Sequence, residues 1–213
     1  MIITINSASK YIRKNLILQD VDISLTGGKI YGLQGPNGSG KTMLMRLICG
    51  LIRPNKGAVY IDGKQLHKDL DFPESVGMLI ENPAFLPQYT GVENLRLLTE
   101  IKGIAGPEDI RQTLLAVGLN PDDKRKYRKY SLGMKQRLGI AAAVVEKPEL
   151  ILLDEPTNAL DDSGVEQICG LIRRERDRGA LVILACHDAS ILEKLADEIY
   201  TVTDGRVARK EPA

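Results

Sequence analysis

Residues 35–42, Gly-Pro-Asn-Gly-Ser-Gly-Lys-Thr, constrain the fold more than any other part of the sequence. They match the G-x-x-x-x-G-K-[ST] pattern at every fixed position. Residues 29–33 have the pattern of a short buried strand, and residues 43–49 have that of a helix that stops at Gly50. A glycine turn between a strand and a helix lets backbone N–H groups surround phosphate oxygens at the positive end of the helix. The sequence therefore predicts a phosphate loop that binds a nucleoside triphosphate.

Every residue of this loop is a candidate for contact with the nucleotide. The set is Gly35, Pro36, Asn37, Gly38, Ser39, Gly40, Lys41 and Thr42. We expect Lys41 to reach the β- and γ-phosphates and to serve catalysis there, and we expect the hydroxyl of Thr42 to bind Mg²⁺. The alternative interpretation is a surface loop rich in glycine and serine before an ordinary helix. That alternative explains neither the preceding strand nor the Lys-Thr pair.

A second segment, residues 150–156, reads Leu-Ile-Leu-Leu-Asp-Glu-Pro and has the continuous apolar run of a strand buried on both faces. Its two carboxylates stand at the C-terminal end, where ligands bind in open α/β sheets. We expect Asp154 to hold Mg²⁺ and Glu155 to orient and polarise the attacking water as a general base. The alternative is that two acidic residues merely end an apolar strand. The phosphate loop in the same chain favours the catalytic interpretation.

Length and composition bound the class of protein. A chain of 213 residues holds one large domain, or a core with a modest insertion. Its 29 basic and 28 acidic residues nearly balance, so no overall field draws it to nucleic acid. Three scattered cysteines indicate buried thiols in a reducing cytoplasm. We see no signal region and no apolar run of the ~18–20 residues that a membrane span needs, so any spans come from another chain.

Hydrophobic periodicity predicts an α/β layout with a mostly helical insertion at residues 82–146. Strand patterns occupy residues 1–6 and 21–25, and residues 58–61 with the turn Asp62-Gly63 predict a hairpin. Thr90-Gly-Val-Glu93 has the pattern of a capping box that opens a helix over residues 94–101. Strand patterns return at residues 150–153. The basic run at residues 124–129 raises the possibility of nucleic-acid binding. Few aromatic residues accompany it, which favours an ordinary solvated face and no nucleic-acid partner.

The segment Ser131-Leu-Gly-Met-Lys-Gln-Arg137 completes a pattern with the phosphate loop and residues 150–156. A serine at a helix start gives a second helix N-terminus that attracts anions, and Gly133 permits close backbone approach. Together the three segments resemble the ATPase subunit of ABC transporters, over nearly the whole chain. The resemblance implies a single ABC ATPase domain over residues 1–213 with a P-loop NTPase (RecA-like) core, an antiparallel β subdomain and a helical signature subdomain.

This resemblance also implies a division of the chain and a set of partners. Residues 1–81 and 147–213 would form the catalytic core with the β subdomain, and residues 82–146 the helical insertion with the signature. The cofactors would be ATP and Mg²⁺. The ATPase would form a homodimer or heterodimer around ATP and would drive a transmembrane permease, so it would lie on the cytoplasmic, inner face of the membrane as a peripheral subunit.

The family's remaining site residues carry over to matching positions. Ser131, Gly133 and Met134 would face the nucleotide of the opposite subunit. Tyr11 resembles the aromatic residue that stacks on adenine, although a half-buried strand tyrosine is the alternative. Asp161 resembles the acidic residue of the loop that crosses to the other subunit. His187 matches the histidine that contacts the γ-phosphate and would be catalytic with Glu155 and Lys41, although a lone histidine is more often structural.

Two departures narrow the resemblance. Glu81 stands where the family usually has glutamine, and it would bind Mg²⁺ together with Thr42 and Asp154. The signature has Leu132 and Met134 in place of the usual glycine and glutamine. These variants resemble the ATPases of bacterial bacitracin-resistance and lantibiotic-immunity exporters, which implies an exporter of a peptide antibiotic or a similar amphiphile. Three alternatives remain open: an ABC ATPase that regulates a membrane-bound signalling partner, a soluble ABC ATPase acting on nucleic acid or ribosomes, and a nucleoside kinase.

Overall fold

The chain builds two β-sheets, a short antiparallel one and a mainly parallel one, with helices around the second. The computed structural model describes residues 1–81 and 83–210. The strands are β1 (Ile2–Ile12), β2 (Asn15–Thr26), β3 (Lys29–Gln34), β4 (Lys56–Ile61), β5 (Lys64–Gln65), β6 (Val76–Leu79), β7 (Leu150–Asp154), β8 (Leu181–Ala185), β9 (Glu198–Thr203) and β10 (Arg206–Arg209). The helices are α1 (Lys41–Ile48), α2 (Gly91–Thr99), α3 (Pro107–Ala116), α4 (Leu132–Val144), α5 (Asp162–Asp177) and α6 (Ala189–Leu195).

The larger sheet carries the site. Its strand order is β10-β9-β3-β8-β7-β6, and all pairs except β10 with β9 are parallel. The strands β7 and β8 read as apolar runs because helices or the second sheet cover both faces. Leu150 and Leu152 pack with α1 and the antiparallel sheet, whereas Ile151 and Leu153 pack with α4 and α5. The predicted strand at residues 150–153 is confirmed, and it extends to Asp154.

The smaller sheet has the order β2-β1-β4-β5 and is antiparallel throughout. The predicted hairpin at Asp62-Gly63 is confirmed, since it joins β4 to β5. The first two strands are longer than the patterns at residues 1–6 and 21–25 indicated. Register shifts along β1 break the simple alternation of apolar and polar residues there, which hid the remainder of the hairpin from a periodicity argument.

The part of the chain between β6 and β7 forms α2, α3 and α4. Thr90 caps α2 by accepting from the N–H of Glu93, and the Glu93 carboxylate accepts from the N–H of Thr90, which confirms the predicted capping box. The helix begins directly after the cap, at Gly91, and not at residue 94 as the pattern suggested. Residue 82, at the predicted start of this insertion, and residues 211–213 lie outside the described residues, and the predicted division of the chain stays a prediction.

The short helix α6 (Ala189–Leu195) was not predicted, although Asp188 caps it. Two buried leucines, Leu192 and Leu195, fix it against the larger sheet. The predicted burial of the cysteines is confirmed, and burial raises the pKa of each thiol. No helix among residues 1–81 and 83–210 is both long enough and apolar enough to cross a membrane.

Candidate active site

The loop at residues 35–42 connects β3 to α1, as the sequence predicted. Gly40 has φ of 112°, a left-handed conformation, directly before the first residue of α1. A side chain on Gly35 would place its Cβ 2.2 Å from the carbonyl oxygen of Val202 on β9. These two glycines therefore let the loop turn tightly against the sheet.

Two side chains of the loop are buried and have polar atoms suited to an anion. Lys41 is buried, and its Nζ donates to the carbonyl oxygens of Gly35 (2.7 Å) and Pro36 (3.0 Å). The Ser39 hydroxyl is the one buried side-chain polar atom without a hydrogen-bond partner in the described part of the chain. An orphaned hydroxyl and a buried ammonium group in one loop fit a phosphate, which would accept hydrogen bonds from both.

Thr42 and Asp154 link the phosphate loop to the end of β7. The Thr42 hydroxyl donates to Oδ2 of Asp154 over 2.6 Å. Burial is the main cause that raises the pKa of Asp154, the Thr42 hydrogen bond opposes it, and the charges of Glu155 and Glu81 raise the pKa further. A hydroxyl oxygen and a carboxylate in contact are the hard oxygen donors that Mg²⁺ prefers.

Glu155 follows directly on β7 and lies beside His187, which follows β8. Its Oε2 is 2.7 Å from Nδ1 of His187 and also accepts from the His187 N–H over 3.3 Å. The backbone of Glu155 is left-handed, with φ of 50°, and its N–H donates to the carbonyl of Ala185 over 2.8 Å. The parallel strands β7 and β8 thus bring together two residues that are far apart in sequence.

A cavity of about 620 Å³ opens over these elements. The residues that line it come from the β1–β2 hairpin, the phosphate loop, the ends of β6 and β7, and the start of α4. They are Ile12, Ile17, Asn37, Gly38, Gly40, Lys41, Thr42, Met43, Glu81, Leu132, Gln136, Asp154, Glu155, Asn158 and Ala159. The cavity brings the phosphate loop, Asp154, Glu155 and Glu81 to one place.

The structure does not bring Tyr11 to the wall of this cavity. Strand register pairs Tyr11 with Leu16 and Ile12 with Asn15. Because side chains alternate along a strand, Ile12 and Ile17 share one face of the hairpin and Tyr11 lies on the other. Within the cavity the hairpin presents Ile12 and Ile17, and the stacking of adenine on Tyr11 stays a prediction.

Glu81 lines the cavity, but its carboxylate is engaged by Arg46 of α1 in an ion pair. The backbone of Glu81 is left-handed, with φ of 64°. Its side chain is 64% exposed, so it has room to move toward Thr42 and Asp154. Arg46 could not be predicted from the sequence, because the ion pair joins residues from two separate elements.

The signature residues occupy the start of α4. Ser131 caps the helix by accepting from the N–H of Met134 over 3.2 Å, which confirms the predicted cap. Gly133 lies so close to Ala159 that a Cβ there would be 2.8 Å from the Ala159 carbonyl oxygen. Leu132, at 67% exposure, is the residue of this turn that reaches the cavity.

Asp161 lies away from the cavity wall and caps α5. Its carboxylate accepts from the N–H of Gly164 (3.1 Å) and the hydroxyl of Ser163 (3.1 Å), and these bonds lower the pKa of Asp161. Met134 is partly buried and packs on the core beneath α4. Ser131, Gly133, Met134 and Asp161 are not among the residues that line the cavity.

These features together define a P-loop nucleoside triphosphatase. A phosphate loop joins a strand of a parallel sheet to a helix. Its Thr42 bonds to Asp154 at the end of β7, and Glu155 and His187 form a pair beyond the ends of β7 and β8. Comparisons with known proteins refine this class. The ABC transporter family model matches residues 18–158.

Three relatives agree with that match. The ABC transporter ATP-binding protein YybJ of Bacillus subtilis is 45% identical over 98% of this chain and 96% of its own. The bacitracin transport ATP-binding protein BcrA of Enterococcus faecalis is 34% identical over 98% of this chain and 68% of its own. The lantibiotic transport ATP-binding protein SrtF of Streptococcus pyogenes is 34% identical over 95% of this chain and 87% of its own.

Two solved structures share the fold. The ATP-binding subunit of an ABC transporter superimposes with a TM-score of 0.88 at 26% identity, over 99% of this chain and 90% of the other. A dimeric post-hydrolysis state of an ATP-binding cassette, bound to ADP and Pi, gives a TM-score of 0.86 at 25% identity, over 98% and 97% of the two chains. The chain belongs to the ABC transporter family. It is the ATP-binding subunit of such a transporter, an ATPase that powers a separate permease. The expected fold class is confirmed.

Proposed function

We propose that this subunit hydrolyses ATP with Glu155 as general base and His187 as its partner. The observation that carries the assignment is that the Thr42–Asp154 pair and Glu155 line one cavity with the phosphate loop, while His187 bonds to the Glu155 carboxylate. A base within hydrogen-bond reach of an orienting group is the arrangement that water activation needs. The carboxylate of Glu155 accepts a proton from the attacking water, while His187 contacts the γ-phosphate.

The phosphate loop binds the triphosphate of ATP. In this structure the Lys41 ammonium donates hydrogen bonds to two carbonyl oxygens of the loop. When ATP binds, it donates to phosphate oxygens in their place. The N–H groups of the loop and the hydroxyl of Ser39 supply the remaining donors. Thr42, Asp154 and Glu81 would hold Mg²⁺, which neutralises developing charge on the phosphates when bound. Glu81 leaves Arg46 to do so.

A second subunit completes the site. Ser131, Gly133 and Met134 lie outside the cavity wall, at a helix N-terminus that suits the phosphates of another subunit's nucleotide. Asp161 caps α5 and its side chain is exposed. The loop that precedes Asp161 contacts the second subunit. The dimeric state of the structural relative with ADP and Pi supports this arrangement.

The permease partner is an exporter of a peptide antibiotic or a similar amphiphile. The relatives BcrA, a bacitracin transport protein, and SrtF, a lantibiotic transport protein, support this part of the proposal. The subunit then works on the cytoplasmic face of the membrane, held there by its permease. Nucleic acid is not a partner, since charge is balanced over the sequence.

The catalytic assignment is tested by Glu155→Gln, which keeps the shape of the side chain and removes the base. We expect ATP turnover to fall by about 10²–10⁴-fold while ATP binding persists and an ATP-bound dimer accumulates. Glu166→Gln is the matched control, because Glu166 is 79% exposed on α5 and should leave turnover unchanged. A wild-type rate in Glu155→Gln would refute the base assignment.

The export assignment is tested by purification of the chain with its permease from membranes. The ATPase rate of the complex is then measured with bacitracin, with a lantibiotic and with an unrelated soluble peptide. Stimulation by one of the antibiotics alone supports the proposal. A permease with no transport of any of them, but with a signalling output to a cell-wall enzyme, would overturn it.

A further inference from the structure

We propose that Gln136 is a positioning residue that holds the peptide of Glu155, and thereby the base, from the signature helix of the same subunit. The inference rests on the proposed role of Glu155 in ATP hydrolysis. Gln136 lies in the second turn of α4, which begins at Leu132. Its Nε2 donates to the backbone carbonyl oxygen of Glu155 over 2.9 Å. This bond joins the start of α4 to the end of β7, across 19 residues of sequence.

The peptide that Gln136 holds has a conformation that needs support. Glu155 has φ of 50°, which is uncommon for a residue with a side chain and persists only where the surroundings fix it. Three hydrogen bonds fix it here, one at the N–H and two at the carbonyl. The Glu155 N–H donates to Ala185, and the Glu155 carbonyl accepts from Gln136 over 2.9 Å and from the N–H of Asn158 over 3.3 Å. Loss of the Gln136 bond leaves the carbonyl with the longer bond alone, which loosens the peptide and the position of the carboxylate beside His187.

Two further contacts join the same turns of α4 to the segment after Glu155. Gly133 packs against the carbonyl of Ala159, whose φ of 62° is again left-handed. The Arg137 guanidinium lies 3.6 Å from the carboxylate of Asp161, and its Nη1 also donates to Gln167. The start of α4 therefore supports the whole segment from residue 155 to residue 161, and Gln136 is the contact that touches the base itself.

This placement connects two sites of the proposed dimer. Ser131 and Gly133 present the N-terminus of α4 to the nucleotide of the opposite subunit, and Gln136, one turn further on, holds the base of its own subunit. A shift of α4 on binding that nucleotide is therefore transmitted to Glu155 through the Gln136 amide. Gln136 thus makes the base of one site depend on the occupancy of the other.

The test replaces Gln136 by Met, which has nearly the same length and no donor. We expect kcat for ATP to fall about 10–100-fold while KM for ATP and Tm stay within error of wild type. In the nucleotide-free protein, hydrogen exchange of the amides of residues 155–160 should accelerate about tenfold or more. Gln112→Met is the matched control, since Gln112 lies exposed on α3 and bonds to Glu108.

The exchange measurement separates this inference from the proposed function. If exchange accelerates but Glu155→Gln retains turnover, Gln136 still positions the peptide and the base assignment fails. If exchange and kcat are both unchanged in Gln136→Met, the positioning role is wrong. A rise in KM with kcat unchanged would show that Gln136 binds nucleotide directly, which also overturns the proposal. Should the Met variant fold poorly, Gln136→Glu keeps the size, replaces the donor by an acceptor and should lose kcat in the same way.

Discussion

Nδ1 of His187 lies 2.7 Å from Oε2 of Glu155, and the two residues follow neighbouring parallel strands, β8 and β7. The same carboxylate oxygen accepts from the His187 N–H, so both the ring and the backbone of His187 orient it. His187 is mostly exposed, whereas Glu155 is largely covered. The geometry makes the histidine an orienting group for the carboxylate as well as a candidate contact for phosphate.

His187→Ala is expected to lower ATP turnover by about 10²-fold, because Glu155 loses the group that orients it and the γ-phosphate loses a contact. ATP affinity should change by less than tenfold, since the phosphate loop is intact. His67→Ala is the control, because His67 lies on the β4–β5 side and its Nε2 contacts the Ile52 carbonyl. A steady-state assay of both variants decides the matter, and equal rates would contradict a catalytic role for His187.

Glu81→Gln tests the carboxylate that stands in place of the family's glutamine. The substitution removes the charge that pairs with Arg46 and one proposed oxygen ligand of Mg²⁺. We expect the Mg²⁺ concentration for half-maximal turnover to rise several-fold, because an amide oxygen binds Mg²⁺ more weakly than a carboxylate. Glu100→Gln, at an exposed ion pair on α2, serves as control. If hydrolysis, Mg²⁺ dependence and coupling to the permease are all unchanged, the metal role of Glu81 is excluded.

Many of the strands and helices could be predicted, because each follows from a short pattern of neighbouring residues. The apolar runs at β7 and β8 and the capping box at Thr90 depend on residues within a few positions of each other. The order of the strands could be reached only through resemblance to a family, since periodicity does not state which strands pair. The left-handed backbone of Glu155 could not be predicted either, because two of the three bonds that hold it come from the distant residues Ala185 and Gln136.

The residues of the site also fall into those that a local sequence pattern predicts and those that depend on distant elements. The phosphate loop and Asp154 are readable because their chemistry follows from residue type at fixed spacing. The role of Tyr11 stays a prediction that rests on the family resemblance, because periodicity in a strand with register shifts does not show which face a side chain occupies. Arg46 and Gln136 were missed because each acts on a residue from a distant element, and a single sequence does not show such pairs.

Asp154→Asn should stabilise the nucleotide-free protein. Burial raises the pKa of Asp154, so folding favours the protonated carboxyl. The contribution of Asp154 to folding stability is therefore fully present below the ordinary pKa of aspartate, and it is lost as pH rises through the raised pKa. The neutral amide avoids this loss and still accepts from Thr42.

Thermal unfolding from pH 4 to pH 8 measures this effect. Asp154→Asn should have a higher Tm than wild type at pH 8, by about 2–4 °C for each kcal/mol, with the gap closing toward low pH. Asp71→Asn, at an exposed position, should track wild type. A gap that widens as the pH falls would contradict the sign, and Mg²⁺-dependent ATP binding should weaken in Asp154→Asn alone.

Gly77→Ala should strongly destabilise the packing of the signature helix on the sheet. A Cβ on Gly77 in β6 would lie 1.7 Å from the carbonyl oxygen of Ala143 in α4, a backbone atom that no rotamer change can move. We expect a loss of about 3 kcal/mol or more, the range of severe overpacking, measured by urea denaturation. Gly170→Ala is the matched control, because a Cβ there meets nothing within 4 Å.

In Gly170→Ala the helix α5 should gain about 0.5–1 kcal/mol, since alanine is the better helix former. The contrast between the two variants isolates the β6–α4 contact from the general effect of adding a methyl group. Gly77→Ala should also lower turnover more than its loss of stability explains, because α4 carries Gln136, which holds the Glu155 carbonyl. Turnover assayed well below the unfolding midpoint tests this, and a wild-type rate in the folded Gly77→Ala protein would show that the exact seating of α4 does not affect the base.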